Sequence, residues 1–278
     1  MEEAKSLSAG LQTKRGSRQG MEEVMAEREE ENRLRNRLRE LAERSYSQSR
    51  YVYTDFLGMS GLAIYHSMER ELSFVASEAF GGTESCERCM VRFGSGEDFG
   101  YREEYPIRLL KVEALQEKFA DRLTHRDFLG SVLGTGLERE KIGDIFLKDN
   151  AGYLFVHADV ADFIRENLVY VKHTKVRVSE LTGIPEELAP KLQEEALVVS
   201  ANRIDSILAR LYHMSREEAQ RLVHGEQVFI NGCAVAQVSK ALKEGDVVSV
   251  RHHGRFRYAG EGGRTKKDRL NVKVEVYT

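Results

Sequence analysis

Apolar side chains never run unbroken for more than a few positions in this chain, so no segment can cross the ~30 Å hydrocarbon core of a bilayer. The opening MEEAKSLSAG carries acids early and has no apolar centre, which argues against a secretory leader. Cysteine is scarce and odd in number, three in all, so a disulfide framework is excluded and a reducing cytoplasm is the expected location. Proline is rarer than in most chains, and two of the three, Pro185 and Pro190, fall within ELTGIPEELAPKLQEE (180–195), which reads as a linker. Sequences that announce catalysis are missing as well. GSGEDFG (94–100) reads as a loop lacking both the third glycine of a dinucleotide fingerprint and any Gly-Lys-Ser/Thr. No nucleophile elbow, Walker loop or metalloprotease helix occurs. Cys86-Glu87-Arg88-Cys89 is half of a zinc site, but Cys233 is the only other thiol and lies far along the chain. His252 and His253, adjacent on an extended segment, would face opposite ways and suit RNA or solvent better than a metal. No enzyme, no cofactor, no catalytic residue and no metal site are expected.

What is present is charge, unevenly placed. Charged residues make up 31% of the chain and hydrophobic ones 41%, as in a very polar globular protein with room for two or three domains. The net charge of −3 hides an asymmetry: residues 201–278 hold 14 Lys and Arg against 9 Asp and Glu, and the acidic excess lies upstream. A polyanion-binding end on an acidic body is one meaning of this pattern, and a generic soluble tail is the other.

Residues 1–20 lack periodicity and are expected to form a disordered tail. Over Met21–Arg44, Leu34, Leu38 and Leu41 recur at helical spacing among pairable Glu and Arg, which predicts a helix lying on its own domain. ELSFVASEAF (71–80) reads as a strand, so 21–105 is taken as an N-terminal α/β domain. In the middle, strands are predicted at 107–112, 142–149, 152–158 and 169–178, with helices at 124–134 and 159–168, the latter capped by Asp159. The β-α-β-β-α-β order over 106–180 is that of a ferredoxin-like domain, also used by a common single-strand RNA-binding fold. Gly152, Tyr153, Phe155 and Val156 fit that fold's third-strand pattern, but Ala151, Leu154 and Ala158 do not, and strand 107–112 lacks the partner aromatic. Tyr153 and Phe155 therefore read as core ahead of base-stacking residues.

After a linker at 181–197, the segment 198–278 is the most informative. Ile204, Ile207, Leu208 and Leu211 make one helical stripe, with Asn202 available as cap and Asp205 to answer it. Ser215-Arg216-Glu217-Glu218 is a capping box opening a second helix, whose buried side is Ala219, Leu222 and Val223. QVFINGCAV (227–235) is a hairpin turning at Asn231-Gly232, with Val228 and Ile230 on one face and Phe229 with Asn231 on the other. Gly245-Asp246 turns into VVSVR (247–251). Gly260, Gly262 and Gly263 suggest a mobile loop before RLNVKVEVY (269–277) returns as a strand, placing Arg264, Lys266 and Lys267 at a hairpin tip.

Arg203-Ile204-Asp205, Leu208, Ser215-Arg216, Ala219, Leu222-Val223, Gly225, Val228, Ile230-Asn231-Gly232, Val235 and Gly245-Asp246 together resemble the S-four RNA-binding domain, named after small-subunit ribosomal protein four. That resemblance implies a rim of the helix pair that grips the phosphates of structured RNA. The RNA-binding set it suggests here is Arg203, Asp205, Ser215, Arg216, Gln220, Arg221, Phe229 and Asn231, joined by Arg264, Lys266 and Lys267; Ser215 reads equally well as a plain cap. Among carriers of this module, Tyr53-Thr54-Asp55-Phe56-Leu57, Phe80-Gly81-Gly82, His125-Arg126-Asp127-Phe128-Leu129-Gly130-Ser131, Gly134-Thr135-Gly136-Leu137-Glu138-Arg139-Glu140-Lys141-Ile142-Gly143-Asp144-Ile145, Ser249-Val250-Arg251, Gly254-Arg255-Phe256 and Thr265-Lys266-Lys267 resemble the signature of the YlmH family. The resemblance spans about residues 45–278. It implies an α+β, monomeric factor of ribosome-associated quality control that meets rRNA and peptidyl-tRNA on the large subunit during C-terminal tailing. Roles in cell division or photosystem biogenesis are also linked to such proteins. A pseudouridine-synthase-like enzyme is a further alternative, since Arg203-Ile204-Asp205 is similar to a motif of those enzymes, although no catalytic domain follows. One departure stands out: His252 occupies a position where that family usually has glycine.

Overall fold

The computed structural model describes residues 3–116, 122–188 and 191–277, with side chains from Met25 onward apart from a few positions. Helix α1 (Glu3–Gln48) is far longer than its predicted core. The stretch 3–20, expected to be a disordered tail, continues this helix instead: Ala, Leu, Gln, Lys and Arg favour helix, and its three glycines each cost only about 1 kcal/mol. Leu38 and Leu41 are buried against β1 (Val52–Tyr53) and α2 (Met59–Ser67), in a core that also holds Leu62, Met68, Leu72, Val91 and Phe93. β2 (Ser77–Phe80) and β3 (Met90–Phe93) complete a three-stranded sheet ordered β1-β3-β2. Only the second half of the expected strand 71–80 is extended. The expected loop at 94–100 holds one helical turn, α3 (Gly96–Phe99), because Ser95 Oγ accepts from the Asp98 amide at 3.1 Å.

The middle unit contains β4 (Ile107–Ala114), α4 (His125–Leu133), β5 (Ile142–Lys148), β6 (Ala151–His157), α5 (Ala158–Asn167), β7 (Tyr170–Val171) and β8 (Thr174–Leu181). Its sheet is ordered β5-β6-β4-β8-β7 and every pairing is antiparallel. The single strand predicted over 169–178 is a hairpin, broken where Lys172 takes φ +56°. α4 opens on a capping box of Thr124 and Asp127, whereas α5 is capped by His157, whose Nδ1 accepts from the Asp159 amide at 3.1 Å, and not by Asp159. Phe128 and Val132 of α4 and Ile164 of α5 are buried with Leu110, Val112, Leu154 and Val156, so both helices cover one sheet face. Gly152 lets Phe128 approach: a Cβ there would meet its ring at 2.6 Å.

The last unit is built from β9 (Leu192–Val199), α6 (Ile204–Leu211), α7 (Arg216–His224), β10 (Val228–Ile230), β11 (Cys233–Ala234), β12 (Val247–Val250), β13 (Gly254–Arg264) and β14 (Leu270–Tyr277). They form a six-stranded sheet ordered β11-β10-β12-β13-β14-β9. The expected linker 181–197 is thus corrected: Leu181 ends β8, and 192–197 belong to an edge strand paired with β14 along its whole length. Positions 189–190, including Pro190, lie outside the described residues. Gln193 and Glu194 hid the strand, because an edge strand needs no apolar outer face. Gly260, Gly262 and Gly263 likewise lie within β13 and not in a loop. The chain is α+β, and none of its described helices is long and apolar enough to cross a membrane.

Candidate nucleic-acid interface

The rim of α6 and α7 is organised by one buried carboxylate. Asp205 is 0% exposed, its place fixed by Ile204, Ile207 and Leu208, which anchor α6 in the core. Arg203 Nε donates to Asp205 Oδ1 at 3.1 Å and Arg203 Nη2 to Oδ2 at 3.0 Å. From α7, Arg216 Nη2 donates to Oδ2 at 3.0 Å and Gln220 Nε2 at 3.1 Å. Burial pushes the Asp205 pKa up, but the hydrogen bonds from Gln220, Arg203 and Arg216 outweigh it and hold the carboxyl below its usual range. Both guanidinium groups keep surface: the side chain of Arg216 is 50% exposed. An exposed fork held on a buried anion is already oriented for phosphate, which meets Arg through two parallel donors.

The other expected residues sort differently. Ser215 Oγ accepts from the Glu218 amide at 3.1 Å and Glu218 Oε2 from the Ser215 amide at 2.8 Å, a complete capping box that starts α7. Asn202 does not cap α6. It accepts from the Leu242 amide at 3.0 Å and donates to Glu261 at 2.9 Å, tying the start of α6 to β13. Arg221 lies exposed on α7. Asn231 turns the β10–β11 hairpin at φ +50°; its Oδ1 accepts from the Val247 amide and its Nδ2 donates to Asp246, both at 2.8 Å, so the side chain holds the turn. Phe229 is a correction: at 2% exposure it offers no face to a base. Alternation along β10 placed it opposite Val228, but the N-terminal unit covers that second face, and Arg251 lies over its ring at 5.5 Å. Arg264 donates to Asp268 at 2.9 Å, and Lys266 and Lys267 stand exposed on the 265–268 turn. Leu270 pairs both Arg264 and Val199, so this tip lies at the sheet end from which the chain enters α6.

Sequence reasoning missed the way the units lock together. Arg88 donates to the carbonyls of Ile142 at 3.0 Å and Phe56 at 2.9 Å, and Asp144 accepts from the Glu87 and Arg88 amides at 2.5 and 3.0 Å. Arg255 reaches from β13 to the Glu84 and Cys86 carbonyls at 3.1 and 3.3 Å, and Arg251 to Ser60 at 2.6 Å. Tyr153 and Phe155 are buried with Phe56, Cys86 and Met90 beneath the N-terminal unit. A Cβ on Gly82 would meet the Phe155 ring at 2.3 Å, which explains the glycine pair after Phe80. Burial pushes both the Cys86 and Cys89 thiols up to about 12, and among the described residues no group of three or more His, Cys, Asp and Glu side chains is placed to hold a metal. His252 and His253 lie in a turn, not a strand; His252 has φ +66°, the conformation of a glycine, and the His253 ring sits 5.3 Å from Tyr212.

Residues 101–183 match a family described as "Putative RNA-binding domain in YlmH". The ribosome-associated protein quality control protein P2 of Bacillus subtilis (strain 168) is 34% identical over 173 residues, an alignment covering 59% of this chain and 66% of that protein, just under two thirds. The solved structure of the cell division protein ylmH from Streptococcus pneumoniae aligns at 17% identity over 55% of this chain and 91% of its own, with a TM-score of 0.45, too slight a likeness to carry an argument.

Proposed function

Since the chain belongs to the YlmH family, we propose that it is a non-enzymatic RNA-binding protein that engages rRNA and tRNA on the large ribosomal subunit and serves in ribosome-associated quality control, during C-terminal tailing of stalled nascent chains. In this reading the middle unit is a ferredoxin-like domain, and 198–278 is an S-four-type module with a β extension. The observation that carries the proposal is the Asp205 hub. It holds Arg203 and Arg216 on one carboxylate oxygen, each with a side chain that keeps part of its surface exposed. Forked cations fixed in place bind a phosphate backbone by position and charge without reading bases. Arg221 and the tip cations Arg264, Lys266 and Lys267 extend the basic edge. Asp205 also argues against modification chemistry at Arg203-Ile204-Asp205. A carboxylate that is fully buried and holds four donors cannot reach a base.

Sedimentation of the tagged protein through a sucrose gradient tests this reading. The wild-type chain is expected in the large-subunit fractions, and the Arg203→Ala plus Arg216→Ala variant is expected to stay near the top. Co-sedimentation of that variant at wild-type levels, with an intact circular dichroism spectrum, overturns the assignment of the rim.

A further inference from the structure

The second face of the middle sheet, opposite α4 and α5, is only half covered. Leu109, Tyr153 and Phe155 lie beneath the N-terminal unit, and the cover reaches the Leu181 end of β8 but leaves Arg177 and Lys175 of β8 and Tyr170 of β7 exposed. Cross-strand partners share a face and residues two apart on a strand share it too. The register Tyr153↔Lys111↔Ser179 therefore carries this face from β6 across β4 to β8. Alternation then places Arg177 and Lys175 on it, and the pair Tyr170↔Lys175 brings Tyr170 to its outer edge. Tyr170 is 54% exposed, unusual for an aromatic on a strand, and the Arg177 side chain is 65% exposed. Leu115, whose amide donates to the Lys175 carbonyl at 3.0 Å, adds a second exposed apolar side chain at this corner. Among the described residues, the cations Lys111, Lys175 and Arg177 share this face with one carboxylate, Glu113, which takes Lys111 at 2.7 Å and Arg177 at 2.5 Å. The described side chains of the open half thus sum to a positive charge around an accessible ring.

We propose that this open half-face is a second RNA site, for single-stranded RNA, with one base stacked on Tyr170 and the adjoining phosphates on Lys175 and Arg177. Stacking needs an unpaired base, because a base inside a duplex already has both faces occupied. A protein partner would demand a larger apolar centre than Tyr170 and Leu115 provide, and the surplus of cations favours a polyanion. The site uses the strand layout that single-strand RNA readers use, but shifted. The central aromatic pair, Tyr153 and Phe155, is consumed by packing between units, and the ring that remains lies three strands away on β7. The proposal rests on the RNA-binding reading of this unit, to which it adds a surface and a class of RNA, and it stands or falls separately from the Asp205 rim.

The chain contains no tryptophan, so the Tyr170→Trp variant of the full-length protein carries a single reporter at the proposed stacking position. A fluorescein-labelled 12-nucleotide oligouridine and a 12-base-pair RNA duplex serve as probes, by anisotropy, in both the wild-type and the Arg203→Ala plus Arg216→Ala backgrounds. Tyr170→Ala is expected to weaken oligouridine binding about tenfold in both backgrounds, Tyr170→Phe to retain it, and Lys175→Ala to weaken it severalfold, with duplex binding changed little. Unlabelled oligouridine should quench the Tyr170→Trp emission. Oligouridine affinity unchanged by Tyr170→Ala, or emission unmoved by saturating oligonucleotide, overturns the site. A loss with Tyr170→Ala but none with the double arginine substitution would keep this site and remove the rim, so the two readings fail separately.

Discussion

Arg216, at the start of one helix, donates to Asp205, in the first turn of another, at 3.0 Å, and the acceptor is wholly buried while the donor is half exposed. One carboxylate therefore both clamps α6 to α7 and aims two cations outward. Asp205→Ala leaves Arg203, Arg216 and Gln220 without their acceptor. Breaking a buried pair costs about 3–5 kcal/mol, and the exposure of the arginines reduces this to about 2 kcal/mol here. Urea unfolding checks the stability. Asp205→Asn, which keeps an acceptor but not the charge, should fold well yet bind RNA about tenfold more weakly, because the guanidinium groups lose their anchor.

The same carboxylate gives the protein an acid-sensitive component. The folded-state pKa of Asp205 lies below its ordinary value of 3.8, so the unfolded chain takes up the proton first as pH falls. The stabilisation is complete above the unfolded pKa and is lost as pH drops below about 4 and through the folded value. Denaturation midpoints measured from pH 5 to pH 2 should fall more steeply for the wild type than for Asp205→Asn. Parallel curves would exclude the hub as the source.

Gly82 sits at φ +112° with the Phe155 ring where its Cβ would be. Gly82→Ala combines overpacking with a disfavoured backbone conformation, an expected cost of about 2–4 kcal/mol. Because the strain falls between units, limited proteolysis should detect the separation of the N-terminal unit from the middle sheet before the whole chain unfolds.

His252 holds a left-handed conformation that glycine adopts without strain. His252→Gly should raise stability by about 1 kcal/mol, read as an upward shift in melting temperature. A fall would mean that the histidine ring makes a contact worth more than the relief of strain.

Arg264, Lys266 and Lys267 stand on one exposed turn. Neutralising all three should weaken binding to specific and nonspecific RNA by similar factors, and the loss should shrink between low and high salt as fewer counterions are released. Affinities at two salt concentrations decide this. A selective loss on one RNA would show that the tip reads shape or bases.

Much of this was legible in the sequence where local signals act alone. The Ser215–Glu218 box, the Asn231-Gly232 turn and the stripe from Ile204 to Leu211 each depend on neighbours a few residues away, and each lies where the pattern put it. The failures share a cause, which is partners distant in sequence. Asn202 was spaced to cap its own helix but bonds to Leu242 and Glu261 instead. Phe229 had the alternation of an outward residue, yet another unit covers it. β9 had too few apolar residues to announce a strand, and only β14, some 75 residues later, makes it one. The carboxylate hub was half visible: Arg203, Asp205, Arg216 and Gln220 all entered the expected set, but nothing in their spacing showed that one would hold the other three.

The pairing of β14 with both β13 and β9 sets a timetable for synthesis. Until Leu270–Tyr277 has left the exit tunnel, Leu197 and Val199 have no strand partner, and the sheet beneath α6 and α7 cannot close. The helices that present the arginines can form early, yet their platform is finished only when this strand arrives. A nascent chain halted short of Leu270 would therefore expose an incomplete basic module, one with its charges made and its scaffold missing.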